Sequence, residues 1–318
     1  MENELLIINY HYVRETFPNS GIHGITPKYF QKQIDKISIA GYNFISLEEL
    51  VNYSETNLSL VQSKKYCLLT FDDGLKESYE NAYRFLQTRG VPAAFFICSD
   101  TLNRDKLLQV HKLQHIRSVI SEEELVTETN RIIPIVNQKT MLFNAVQQYP
   151  WDSEISAILK YTINFELNWE QSQEFVNDLF IKYFKDETKL AEELYLSPEQ
   201  LEELANAKSI GSHTISHRAL SRLSDQDLRH ELLNSKAIIE KFLASKIHSV
   251  SYPYGENSSV NDLVFSYVKM AKYKLGFTMN RSVNELNTIH QDRLKLSRYD
   301  TNDVLGGKTA NLFKNVVK

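Results

Sequence analysis

The chain has 318 residues, of which 42% are hydrophobic and 24% charged, with a formal net charge of −4. Those values are ordinary for a soluble globular protein and give no basic footprint for a nucleic-acid partner. No run of about 18 apolar residues occurs, so no membrane-spanning helix is expected. The start, "MENELLIINYHYV", lacks the basic opening and long apolar segment of a signal peptide, so the expected location is cytoplasmic. The two cysteines, Cys67 and Cys98, fall in predicted strands and read as reduced core residues.

The first strand begins almost at the N-terminus and leaves His11 at its carboxyl end. Thr26 can cap a helix with Pro27 in its first turn, and Phe30, Ile34 and Ile37 then share one face up to Gly41. "YNFIS" reads as a short strand, and Ser46 with Glu49 as a capping box opening the next helix. Tyr66 to Phe71 is apolar on both faces, as in an interior strand of a parallel sheet. It runs into Asp72, Asp73 and Gly74. A helix follows with Tyr79, Ala82, Tyr83 and Leu86 at helical spacing, ended by Gly90, and "AAFFIC" is another interior strand.

Residues 100–196 break this rhythm: they are polar, mostly helix-like, and carry no convincing strand. Alternation resumes at Ser197-Pro198, where Gln200 occupies the capping-box position. "SIGSH" is a strand; Ser224 opens a long helix bearing Leu228, Leu232, Ile239 and Phe242; "IHSVSY" is a strand; residues 258–274 are helical; and Gly276 leads into "FTMN". Repeated βα units imply a parallel sheet, open or closed, whose function gathers at the carboxyl ends of its strands. Asp72-Asp73, His213 and Pro253-Tyr254-Gly255 all fall there. The expected domains are a barrel from 1–99 and 197–318 and a helical insertion from 100–196.

Two adjacent carboxylates at a strand end repel each other unless a cation or a shared proton offsets the charge. "GSHTISH" sets His213 and His217 four residues apart, which on a helical turn puts both imidazoles on one face. Two His and a carboxylate with a second carboxylate beside them suit a zinc site with an open position and a general base. By itself the His pair is more often incidental, and the Asp pair more often a capped strand end.

In combination these residues closely resemble the polysaccharide deacetylase family, carbohydrate esterase family four. "TFDDG", "SHTISH" and "SYPYG" resemble its first three motifs in order and approximate spacing, and "INYHYV … GYNFISLEEL" resembles members with an N-terminal Tyr-His segment. The resemblance covers about residues 5–98 and 197–300. It implies a distorted (β/α)7 barrel, here α/β with a mainly helical insertion. It also implies Asp72 as general base, and Asp73, His213 and His217 as ligands of a divalent metal, with zinc expected. The Tyr254 backbone N–H becomes the oxyanion donor. The implied reaction removes acetyl from an N-acetylated sugar, so the expected partner is a carbohydrate or sugar conjugate.

The chain departs from the family pattern in three places. The third motif usually opens with an Arg that orients the catalytic Asp; Ser251 stands here, and Arg298 in "LKLSRYD" is the candidate substitute from a late strand. The late Leu-x-His motif that supplies the general acid is not clear; His11 is the better candidate, with His290 or a water as alternatives. Arg218 replaces the Pro that follows the second metal histidine. The expected function is a metal-dependent carbohydrate N-deacetylase working on a cytoplasmic precursor of a surface polysaccharide. The alternative is a catalytically silent carbohydrate-binding or scaffold protein of polysaccharide biosynthesis. His111 and His115 repeat the four-residue spacing without a supporting motif and read as surface or packing residues.

Overall fold

The computed structural model describes residues 3–56, 65–132 and 138–317. The chain forms two compact units: Met1–Phe17, His23–Leu107 and Glu187–Lys318 make the first, Pro18–Ile22 and Leu108–Asp186 the second. The stretch 100–196 is thereby divided, with its ends in the first unit and its middle in the second.

The first unit holds an eight-stranded sheet: β1 (Glu4–Tyr10), β2 (Asn43–Phe44), β3 (Lys65–Phe71), β4 (Ala94–Ile97), β5 (Ile210–Ser212), β6 (Ser249–Ser251), β7 (Leu275–Phe277) and β8 (Asn284–Glu285). Every pairing is parallel except that of β8 with β1. β1 and β3 run in register from Glu4↔Lys65 to Tyr10↔Phe71. Two parallel bridges, Phe277↔Leu296 and Ile8↔Tyr299, lay the chain around Arg298 between β7 and β1. The Thr278 N–H donates to the Leu296 carbonyl and the Asn9 N–H to the Tyr299 carbonyl, each at 2.8 Å. This segment is the last stave of a distorted (β/α)7 barrel whose other staves are β1 and β3 to β7.

Alternation along the strands divides the core. Leu6, Ile8 and Tyr10 of β1, with Cys67, Leu69 and Phe71 of β3, face the helical layer and meet Phe30, Ile34 and Ile37. Leu5, Ile7, Tyr66, Leu68, Phe96, Phe277 and Leu296 form a separate inner cluster. Each fully buried Leu, Ile or Phe stabilises the fold by about 1.5–3 kcal/mol. Period two carries the inner rows on to Asn9 and to Thr70 and Asp72. Polar groups therefore replace apolar ones on the inner face at the carboxyl end, which is what makes that end a site. Both cysteines are buried and free.

The helices start where their caps allow. The Thr26 side chain accepts from the Tyr29 N–H, with Pro27 opening Pro27–Ile39. Ser46 and Glu49 exchange the reciprocal bonds of a capping box, at 3.2 and 2.8 Å, as do Ser197 and Gln200. The helix expected over 258–274 is shorter, Asp262–Met270, because Asn261 caps it by accepting from the Val264 N–H. Phe242, one residue before its helix ends at Leu243, stays 43% exposed instead of joining the core. Gly276 lies within β7, and a Cβ there would meet the Tyr252 hydroxyl at 2.2 Å. Two π-helical turns, Tyr79–Tyr83 and His230–Asn234, interrupt the helices that follow the Asp72-Asp73 turn and the His213–His217 loop.

The second unit contains Gln109–Val119, Glu122–Ile132, Gln138–Gln148, Glu154–Tyr161 and Trp169–Tyr183, with no strand among its described residues. Asn168 and Gln171 form its clearest capping box. Asp152 bridges Arg117 at 2.7 Å and Lys160 at 2.8 Å in its interior. His111 is buried, and His115 packs edge-on against Phe184. Among the described residues no helix is long and apolar enough to cross a membrane.

Candidate active site

β3 ends at Phe71, and the next turn separates the two carboxylates. Asp73 and Gly74 take φ of 72° and 67°, consecutive left-handed residues that turn the backbone sharply after Asp72. Thr214, His217 and Tyr254 also lie in the left-handed region, at 67°, 62° and 61°. Such conformations are uncommon for residues other than glycine and persist where surrounding contacts over-determine them.

Asp72 lies on the buried inner face. Arg298 Nη1 donates to Oδ1 at 3.0 Å and Nη2 to Oδ2 at 2.9 Å, a bidentate pair. Asn9 Nδ2 and Ser251 Oγ also donate to Oδ2, at 2.9 and 3.0 Å. Arg298 is fully buried. Its Nε donates to the Thr278 carbonyl, and its remaining bonds reach Asn9 Oδ1, Thr70 Oγ1 and Ser251 Oγ. Burial alone would raise the Asp72 pKa; the Arg298 charge, with His213 and His11 adding to it, outweighs burial and pulls it down to about 2.

Asp73 joins a different group. Its Oδ1 lies 3.4 Å from His213 Nε2 and 3.5 Å from His217 Nε2. Ligand atoms of all three residues lie within 4.8 Å of one another, and all three residues are buried. His213 Nδ1 is 2.8 Å from the Ser251 carbonyl. A carbonyl only accepts, so Nδ1 carries a proton and Nε2 is the nitrogen that faces Asp73; in the neutral ring that a metal requires, Nε2 offers a lone pair. Two acceptors facing each other across a buried gap suit a shared cation. The spacing suits one too, since tetrahedral ligands about 2.0–2.2 Å from a zinc ion lie roughly 3.4 Å apart. The donor set therefore fits a divalent ion of zinc type. Burial lowers the His213 pKa, but the Asp72 and Asp73 carboxylates outweigh it and raise the value above the ordinary one.

The other candidates border this cluster. The Tyr254 ring meets His217 edge-on at 5.0 Å, and the left-handed Tyr254 turn follows β6. His11 is half-buried just past β1; its carbonyl accepts from the Ser78 hydroxyl at 2.7 Å, and its imidazole is close enough to lower the Asp72 pKa. His290 is exposed on Ile289–Asp292, beyond β8, which pairs with the amino end of β1. It lies at the opposite end of the barrel from Asp72. Arg218 pairs with Asp227 at 3.5 Å.

The sequence profile of the family described as polysaccharide deacetylase matches residues 60–138 and 168–276, more than half of the chain. The chain belongs to the polysaccharide deacetylase family. It is accordingly a hydrolase of amide bonds. The fold is similar to that of the Streptococcus pyogenes deacetylase PplD, solved with acetate, at 18% identity and a TM-score of 0.61 over the whole of both chains. It is also similar to a de-N-acetylase from Aggregatibacter actinomycetemcomitans (17% identity, TM-score 0.58, 98% of this chain and 99% of that one). IcaB from Ammonifex degensii is similar at 17% identity and 0.58, over 99% and 96%. No curated protein sequence matches the chain significantly.

The cluster around Asp72 also includes residues that motif reading passes over. Asn9, Thr70 and Thr278 hold Arg298, and Asn9 bonds Asp72 as well. A signal was present: Asn9 and Thr70 are the polar members of otherwise apolar inner rows. Ser251, which looks like a lost Arg, instead donates to Asp72 and accepts from Arg298. Cys98, read as core, donates its thiol to the His213 carbonyl at 2.9 Å.

Proposed function

We propose that the protein is a metal-dependent carbohydrate N-deacetylase, with zinc as the ion and an N-acetylated sugar of a glycan or glycan precursor as substrate. The observation that carries this reading is the convergence of Asp73, His213 and His217 beside an ionised Asp72 gripped by Arg298.

Asp73, His213 and His217 would hold the ion, which when bound supplies a Lewis acid that polarises the acyl carbonyl and makes water more acidic. Asp72 accepts the proton of the attacking water at its carboxylate. Arg298 keeps Asp72 ionised and fixes its orientation, so no reorganisation is needed as the proton moves. The Tyr254 N–H donates to the carbonyl oxygen as negative charge grows there. An amide nitrogen leaves poorly unless protonated, and His11 delivers that proton. The C–N bond breaks, giving acetate and a free amine.

The test is acetate release from a panel of N-acetyl sugars and oligosaccharides by purified protein, chelated and then supplied with zinc. Zinc-dependent release supports the reading. Sugar binding without acetate release under any metal identifies a silent carbohydrate-binding protein instead.

A further inference from the structure

The loop that joins the two histidines has its carbonyl side and its N–H side secured by different elements. On the carbonyl side, the Cys98 thiol donates to His213 O, and the N–H groups of Ser99 and Asp100 donate to Thr214 O and Ile215 O. On the N–H side, Glu231 Oε2 accepts from Ile215 N–H at 2.8 Å and from Ser216 N–H at 3.1 Å, and Oε1 accepts from the Ser216 hydroxyl. Glu231 is 2% exposed and sits on the π-helical turn His230–Asn234. Such turns inside α-helices occur frequently at functional sites.

We infer that Glu231 is a positioning residue for the metal site: its buried carboxylate clamps the Ile215-Ser216 turn and so holds His217 in reach of Asp73 and His213. Thr214 and His217, on either side of the clamped pair, both take left-handed φ, so the loop needs an outside hold to keep this shape. A carboxylate is the suitable hold. It accepts all three bonds at once and accepts them more strongly than a neutral amide, which has a single acceptor oxygen. Glu231 touches neither ion nor substrate and acts through His217. The inference rests on the proposed metal reading of Asp73, His213 and His217.

The experiment compares full-length wild type, Glu231→Gln and Glu231→Ala by zinc competition against a chelator and by amide hydrogen exchange of the metal-free proteins. Supporters of a pure metal site perturb affinity by about 10–100-fold. Glu231→Gln should therefore raise the zinc Kd about tenfold and Glu231→Ala up to about a hundredfold, with faster exchange at Ile215 and Ser216 in both. The cobalt-substituted Gln variant should show an altered visible spectrum, which loss of overall stability alone would not produce. Should Glu231→Ala fail to fold, the near-isosteric Gln variant decides. Wild-type zinc affinity and cobalt spectrum in the Gln variant, with only a lower Tm, would overturn the inference and make Glu231 an ordinary structural residue. If wild type itself binds no zinc, the metal reading falls, and unchanged exchange at Ile215 and Ser216 in the variants then sinks the clamp as well.

Discussion

Arg298 and Asp72 stand 226 positions apart in the chain, yet the guanidinium meets both carboxylate oxygens, at 3.0 and 2.9 Å. Removing one partner of such a buried pair leaves the other charged and uncompensated, which costs about 3–5 kcal/mol. Arg298→Ala should lower stability by that amount and reduce kcat by roughly 100-fold or more through a misplaced base. Arg298→Lys should recover little, since an ammonium cannot reproduce the planar fork. Denaturant unfolding and steady-state kinetics check both; a Lys variant with wild-type kcat would show that orientation of Asp72 is not what Arg298 supplies.

His213→Ala and His217→Ala should each lose bound metal and activity together, because each removes one of the three proposed ligands. Elemental analysis after dialysis reads the outcome. Stoichiometric metal retained in either variant counts against the site.

The two aspartates should separate by role. Asp72→Asn should retain metal and lose turnover, because the neutral amide cannot take a proton from water. Asp73→Asn should weaken metal binding itself. Metal titration alongside acetate release distinguishes them, and the reverse pattern would exchange their assignments.

His11 should matter most when the leaving group is poor. His11→Ala should retain metal and slow amide hydrolysis by roughly 10²–10⁴-fold. Hydrolysis of an ester with a good leaving group should suffer much less, and the alkaline limb of the pH–rate profile should vanish. Equal slowing of both substrates with the limb intact makes His11 structural.

Asp152 offers a stability test away from the site. Burial pushes its pKa up, but Lys160 and Arg117 outweigh burial and hold it at about 2, below the ordinary value of 3.8. A folded-state pKa below the unfolded one contributes stability above the unfolded value and loses it as pH falls from about 4 to about 2. The second unit should thus be weakened by roughly 2 kcal/mol across that window, and Asp152→Asn should flatten this part of the acid profile. The chain's two tryptophans, Trp151 and Trp169, both lie in this unit, so their fluorescence follows it directly.

Local order was legible in the sequence because its causes are local. The caps at Thr26, Ser46 and Ser197 act within one helical turn, and the apolar runs of β1 and β3 need only their own side chains to read as buried strands. The Asp72-Asp73-Gly74 turn and the His213–His217 spacing are short-range as well, which is why "TFDDG" and "SHTISH" could point to a family and, through it, to an amide-bond hydrolase. Distant partnerships were left to tertiary structure. Arg298 could be named from the sequence only as a candidate substitute for the arginine that Ser251 replaces; its contact follows from closure of the barrel, which sets the 296–299 segment beside β1 and brings Arg298 and Ser251 to the same carboxylate from different staves. Asn9 acquires its role when the parallel register places it beside Thr70, and Glu231 when its helix packs it against the His213–His217 loop. Hydrogen bonds and charge pairs of this kind depend on distances that only the folded chain sets, since sequence separation places no constraint on which buried groups meet.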